Sequence, residues 1–119
     1  MTRIKLLAAL ATLAVTVAVI AVPAAEAATT LTGTVGPGFT ITLKKAGTKV
    51  TKLKHGVYII KVSDKSAIHN FRLKGPGVNK TTSVAFVGTK TWTVTLKAGK
   101  YTIVCDPHAA VMKSTFTVT

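Results

Sequence analysis

Apolar and polar positions alternate in short stretches along most of this chain. Phe39, Ile41 and Leu43 alternate with Thr40, Thr42 and Lys44, and Phe71 and Leu73 with Arg72 and Lys74. Tyr58, Ile60 and Val62 follow the turn-like pair His55-Gly56. Trp92, Val94 and Leu96 alternate with Thr91, Thr93, Thr95 and Lys97. Tyr101, Ile103 and Cys105 follow a turn at Lys97-Ala98-Gly99-Lys100, and Phe116 and Val118 close the chain. Successive side chains of an extended backbone point to opposite faces, so period-two alternation with one apolar face predicts half-buried strands. The pattern predicts at least six strands, and seven or eight if residues 31–35 and 84–87 are included. Threonine at the outward positions suits β-structure. No stretch after the N-terminal segment has helical periodicity, so the fold is expected to be all-β, an antiparallel sandwich or barrel.

The first residues break this pattern. Arg3 and Lys5 carry positive charge, residues 6–22 are uncharged and mostly apolar, and Pro23 leads into Ala24, Ala25, Glu26 and Ala27. A positive start, an apolar middle and an Ala-x-Ala site at Ala25 and Ala27 are the parts of a secretory signal peptide. Residues 1–27 are read as that signal, with cleavage after Ala27 and residues 28–119 as a single domain. The alternative is an uncleaved anchor, because the run approaches the roughly 20 residues that span a bilayer. Either way the domain is exported, to the periplasm or to the outside of the cell envelope.

An exported domain with one cysteine cannot form an internal disulfide, so Cys105 is free, paired with another molecule, or bound to metal. Its surroundings favour metal. A strand delivers Cys105, Asp106-Pro107 turns the chain, and His108 and Met112 follow before the last strand. One loop thus presents a thiol, an imidazole and a thioether within eight residues. Alone, Cys105 would read as a small buried hydrophobe and Met112 as core packing; together with His108 they match copper, while zinc rarely uses Met. His69 shares strand parity with Phe71 and Leu73, and Cys105 with Tyr101 and Ile103, so both point inward and can meet at one end of a sandwich. Two His and a Cys with a weak axial Met make the blue-copper arrangement. His55 has no sequence partner and is read as surface.

Ile68-His69-Asn70-Phe71 upstream, with Cys-x2-His-x3-Met downstream, resembles the cupredoxins, among them plastocyanin, pseudoazurin and amicyanin. Gly36-Pro37-Gly38-Phe39 and Leu73-Lys74-Gly75-Pro76-Gly77-Val78 resemble loops of the plastocyanin-like secreted forms. The resemblance spans residues 30–119 and implies a Greek-key β-sandwich with one type 1 copper ion held by His69, Cys105, His108 and Met112. It implies that Asn70 ties the two ligand loops together. It also implies that His108 lies near the surface, ringed by an apolar partner-docking patch of Pro37, Phe39, Pro76, Ala109, Ala110 and Val111. The implied function is single-electron transfer without enzymatic activity, with copper storage or delivery in the cell envelope as the alternative.

The formal charge of the chain is +13, and about +12 without residues 1–27. Such a charge suits an acidic redox protein as partner, or an anionic envelope surface. Nucleic acid is not expected, because no recognition motif or series of stacking aromatics accompanies the lysines. The domain is expected to act as a monomer.

Overall fold

The structure is a computed structural model and describes residues 2, 5, 7–21 and 27–119. Arg3, Pro23 and Ala25, on which the signal-peptide reading leans, lie outside the described residues. Among the described residues no helix is long and apolar enough to cross a membrane.

Ten strands follow in order: β1 (Thr29–Val35), β2 (Ile41–Lys45), β3 (Thr48–Lys49), β4 (Lys52–Leu53), β5 (Gly56–Asp64), β6 (Arg72–Gly75), β7 (Val78–Thr81), β8 (Gly88–Leu96), β9 (Gly99–Val104) and β10 (Lys113–Val118). They form two sheets, ordered β3-β2-β1-β5-β8 and β4-β10-β9-β6-β7. The alternation read from the sequence becomes the packing between them. Leu31 and Val35 of β1, Tyr58, Ile60 and Val62 of β5, and Val94 and Leu96 of β8 meet Leu73, Tyr101, Ile103, Phe116 and Val118 of the other sheet in one core. Trp92 packs against this core while staying partly exposed.

Both sheets are mixed. β1 runs parallel to β5 and β4 parallel to β10, while the remaining pairs are antiparallel. Parallel neighbours cannot be joined by a tight hairpin, and here each such pair is bridged by chain that visits other strands. Residues 84–87 form no strand; Phe86 N–H donates to Ser83 O in a turn before β8 begins at Gly88. In their place Val78–Thr81 supplies the outer strand beside β6. Its sequence, Val-Asn-Lys-Thr, has a single apolar position, so alternation could not signal it.

Register fixes two ends for the sandwich. Val35, Ile41, Asp64 and Gly88 lie at one end of the first sheet, and Arg72, Val104 and Lys113 at the same end of the second. Four connections gather there: residues 36–40, 65–71, 82–87 and 105–112.

Candidate metal centre

Two of those connections bring the candidate ligands together. Cys105 follows β9 directly and is fully buried. A 3-10 turn over Asp106–His108, with Pro107 inside it, swings the chain so that His108 returns beside the sulfur. Backbone bonds close this loop: Cys105 N–H donates to Met112 O at 3.0 Å, and Met112 N–H to His108 O at 2.8 Å. Met112 therefore sits across the loop base from Cys105, its side chain buried in the same cluster. His69, fully buried, comes from the connection between β5 and β6.

The three donor atoms face one another. His69 Nδ1 lies 3.0 Å from His108 Nδ1, and Cys105 Sγ lies 3.7 Å from the first and 3.5 Å from the second. A triangle with these edges has a point in its plane about 2.0 Å from every corner, which is the length of a metal–imidazole bond and a little short of a metal–thiolate bond. Two imidazole nitrogens and a sulfur can each offer a lone pair to that one point. The set thus fits a metal ion, and its softness fits copper. His55, by contrast, is exposed and bonds the carbonyl of Thr119 at the far end of the molecule.

The surroundings hold this cluster in place. Gly36 has φ +72°, and a side chain there would come within 2.9 Å of Ser66 Cβ and 3.4 Å of His69 Cδ2. Glycine thus lets the connection between β1 and β2 press against the imidazole. Gly36→Ala is expected to cost about 1–3 kcal/mol through overpacking and strain and to alter the visible spectrum of the copper form; thermal melts and absorption spectra check both. The next residues place the Phe39 ring edge-on to both imidazoles, with centroids 5.1 Å from His69 and 4.9 Å from His108.

Asn70 links the ligand loops through its side chain: its Oδ1 accepts from Asp106 N–H at 2.7 Å, and its Nδ2 donates to Asp106 Oδ2 at 2.8 Å and Thr81 Oγ1 at 3.0 Å. Sequence reasoning missed the other half of this tie. Arg72 grips the Asp106 carboxylate through Nε and Nη2, the latter at 2.8 Å. The hydrogen-bonded Arg72 guanidinium holds the Asp106 carboxyl below its ordinary range; desolvation opposes it, while Asn70 and Lys74 add to it. A depressed carboxylate stabilises the fold at neutral pH, and that contribution disappears as pH falls through the folded-state value. Asp106→Asn in metal-free protein is therefore expected to lower stability at pH 7 and to match the wild type once the medium is acidic enough to protonate the wild-type carboxyl. The pair is partly exposed, so the difference is at most about 1 kcal/mol and shrinks with salt; denaturant titrations across pH measure it.

A second tie was also missed. Asp64, almost fully buried, accepts from Ser66 N–H at 3.2 Å and from Thr82 Oγ1 at 3.0 Å, and Thr82 Oγ1 accepts from Phe71 N–H at 2.8 Å. Ser66 in turn receives Ile68 N–H on its hydroxyl and His69 N–H on its carbonyl. One carboxylate thus anchors both flanks of the His69 loop. Asp64 and Asp106 are the only side-chain carboxylates of residues 28–119, which is the signal that could have drawn attention to them.

His108 is the half-buried member of the donor set. The exposed residues Pro37, Phe39, Ala109, Ala110 and Val111 lie on the two connections at this end, and Ile68, 56% exposed, adds to them from the third. Pro76 does not belong with them. β6 runs away from the site, so the turn after it lies at the opposite end, where the Pro76 carbonyl is 3.2 Å from Tyr101 Oη and the ring packs against Gly99. A loop-sequence resemblance could not reveal at which end that turn falls.

Comparison with known proteins agrees with the site. No curated protein matches the chain in sequence. Among solved structures, reduced rusticyanin matches with a TM-score of 0.55 at 22% identity, over 76% of this chain and 78% of that one. Rusticyanin from Thiobacillus ferrooxidans matches with a TM-score of 0.52 at 23% identity, over 76% of each. Likeness at this identity attests the fold, a cupredoxin sandwich. The family model of copper binding proteins, plastocyanin/azurin family, matches residues 9–119. With donors of this kind converging at one end of this sandwich, the chain belongs to the plastocyanin/azurin family of copper-binding proteins, as a type 1 copper protein that transfers single electrons.

Proposed function

We propose that His69, Cys105, His108 and Met112 are the four ligands, and that the domain acts as an exported electron carrier without enzymatic activity. The observation that carries this is the convergence of His69 Nδ1, Cys105 Sγ and His108 Nδ1 within 4.8 Å of one another, two of them sealed from solvent and one partly open. Copper bound there supplies one-electron chemistry between Cu(I) and Cu(II). Cys105 would hold it as thiolate, His69 and His108 as neutral imidazoles, and Met112 would lend a weak thioether. The Asn70–Asp106–Arg72 tie and the Asp64 anchor hold these side chains in one arrangement, so little has to move when the charge changes. His108 is where a partner protein meets the site, across a rim of Phe39, Ala109, Ala110 and Val111. Against catalysis stands the shortage of free carboxylates: both of the domain's are engaged, one with Arg72 and the other in anchoring the His69 loop.

The N-terminal residues support export after cleavage at Ala27, and the charge supports a redox partner with an acidic surface, met near Lys65 and Lys113. Electron exchange with a small redox mediator, followed by stopped flow, should be fast, and the copper should stay with the domain when a copper-accepting chelator is offered. Sluggish exchange with ready loss of copper would instead assign storage or delivery.

A further inference from the structure

Charge is sorted along the sandwich. The four connections at the copper end contain a single lysine, Lys65, and both side-chain carboxylates, Asp64 and Asp106, also lie at that end. The opposite end differs. Lys45 closes β2, Lys54 precedes β5, Lys97 and Lys100 flank the turn into β9, and Lys52 lies across Thr117 from Lys100 on one sheet face. All five are exposed, and among the described residues Arg72–Asp106 is the only ion pair, so none is neutralised.

The two ends are far apart electrostatically. The nine residues of β5 connect them, about 26–30 Å at strand rise, against a screening length of about 8 Å at physiological salt. The far lysines therefore contribute little to what approaches His108 at contact range, and they need another reason to be gathered there.

The chain itself indicates the occupant. Ala27, Ala28 and Thr29 share a surface depression of about 610 Å³ with Lys45, Lys54, His55 and Val57 at this far end. The apolar residues 7–21, with Leu7, Leu10, Leu13 and Ile20 between 85% and 94% exposed, therefore lead into the domain through the lysine end. The part of the chain fit for a bilayer, which holds the domain beside the membrane until cleavage at Ala27, joins it at the cluster of unpaired lysines. The lysines come from separate turns around that pole, a layout that suits a broad anionic plane.

We propose that this lysine pole seats the domain on an anionic lipid surface, with the copper end directed away from the membrane towards its redox partner. Each lysine near such a surface strengthens binding about fivefold. The proposal rests on the electron-carrier reading only for the need to keep the copper end free.

The test is co-sedimentation with vesicles, using the domain from Ala28 onward, which contains every strand and the whole core, both metal-free and copper-loaded. Binding is expected to vesicles containing phosphatidylglycerol and not to phosphatidylcholine alone. Changing Lys45, Lys54, Lys97 and Lys100 to Gln should weaken it at least tenfold, while the same change at Lys61, Lys65, Lys90 and Lys113, equal in net charge, should weaken it by less than threefold. Equal losses in the two variants would overturn the proposal, since net charge alone would then explain binding. So would retention by a soluble polyanion without any on lipid. A domain that binds vesicles through this pole but takes up no copper would sink the electron-carrier reading and leave the lysine pole standing.

Discussion

Cys105→Ser is expected to abolish the intense visible absorption of the copper-loaded protein completely. That absorption is a transfer of charge from a thiolate to copper, and Cys105 is the only sulfur of that kind in the chain. A serine hydroxyl in the same position offers a hard oxygen that keeps its proton at neutral pH. Two imidazoles and a thioether would remain, enough to retain some copper but without the chromophore. The fold should survive, because oxygen replaces sulfur with little change of volume beside His69 and His108. Absorption spectra of the two copper-loaded proteins decide the matter, with thermal melts of the metal-free forms as the check on folding. A visible band of undiminished intensity in the serine variant would remove Cys105 from the site.

Copper loading should also raise the melting temperature of the wild-type domain by roughly 15–30 °C. A ligand present at a thousand times its dissociation constant stabilises the folded state by about 4 kcal/mol, and each kcal/mol is worth roughly 4–8 °C in a domain of this size. The domain is small enough for its core to be only moderately stable, so binding at the site weighs heavily. Three donor atoms face one another at 3.0–3.7 Å, each with a lone pair that a metal ion can take. His69→Ala should lose most of the copper-induced rise, because it removes one of the three converging donors. Melts of wild type and variant, with and without copper, provide the measurement; a wild-type Tm indifferent to copper would mean that the three donors do not act as one site.

Much of this was legible in the chain. The parity of His69 with Phe71 and Leu73, and of Cys105 with Tyr101 and Ile103, correctly predicted that all six would be buried. The spacing of Cys105, His108 and Met112 placed three candidate donors on one loop. The reading failed or fell silent elsewhere. Residues 84–87 read as extended because all four are apolar, yet they turn, and Val87 is 58% exposed. Pro76 was assigned to the wrong end. The tie between Arg72 and Asp106 joins residues 34 positions apart, and the one between Asp64 and Thr82 spans 18.

Alternation is a local property, imposed by the extended backbone itself, so the chain alone determined which side chains face the core and which residue types could meet a metal. Which ends of which strands lie together depends on register and on the parallel pairing of β1 with β5 and β4 with β10, and those are contacts between distant segments. Only the tertiary structure could therefore gather the donors and both carboxylates at one end, carry Pro76 to the other, and leave a cluster of lysines where the N-terminal segment enters.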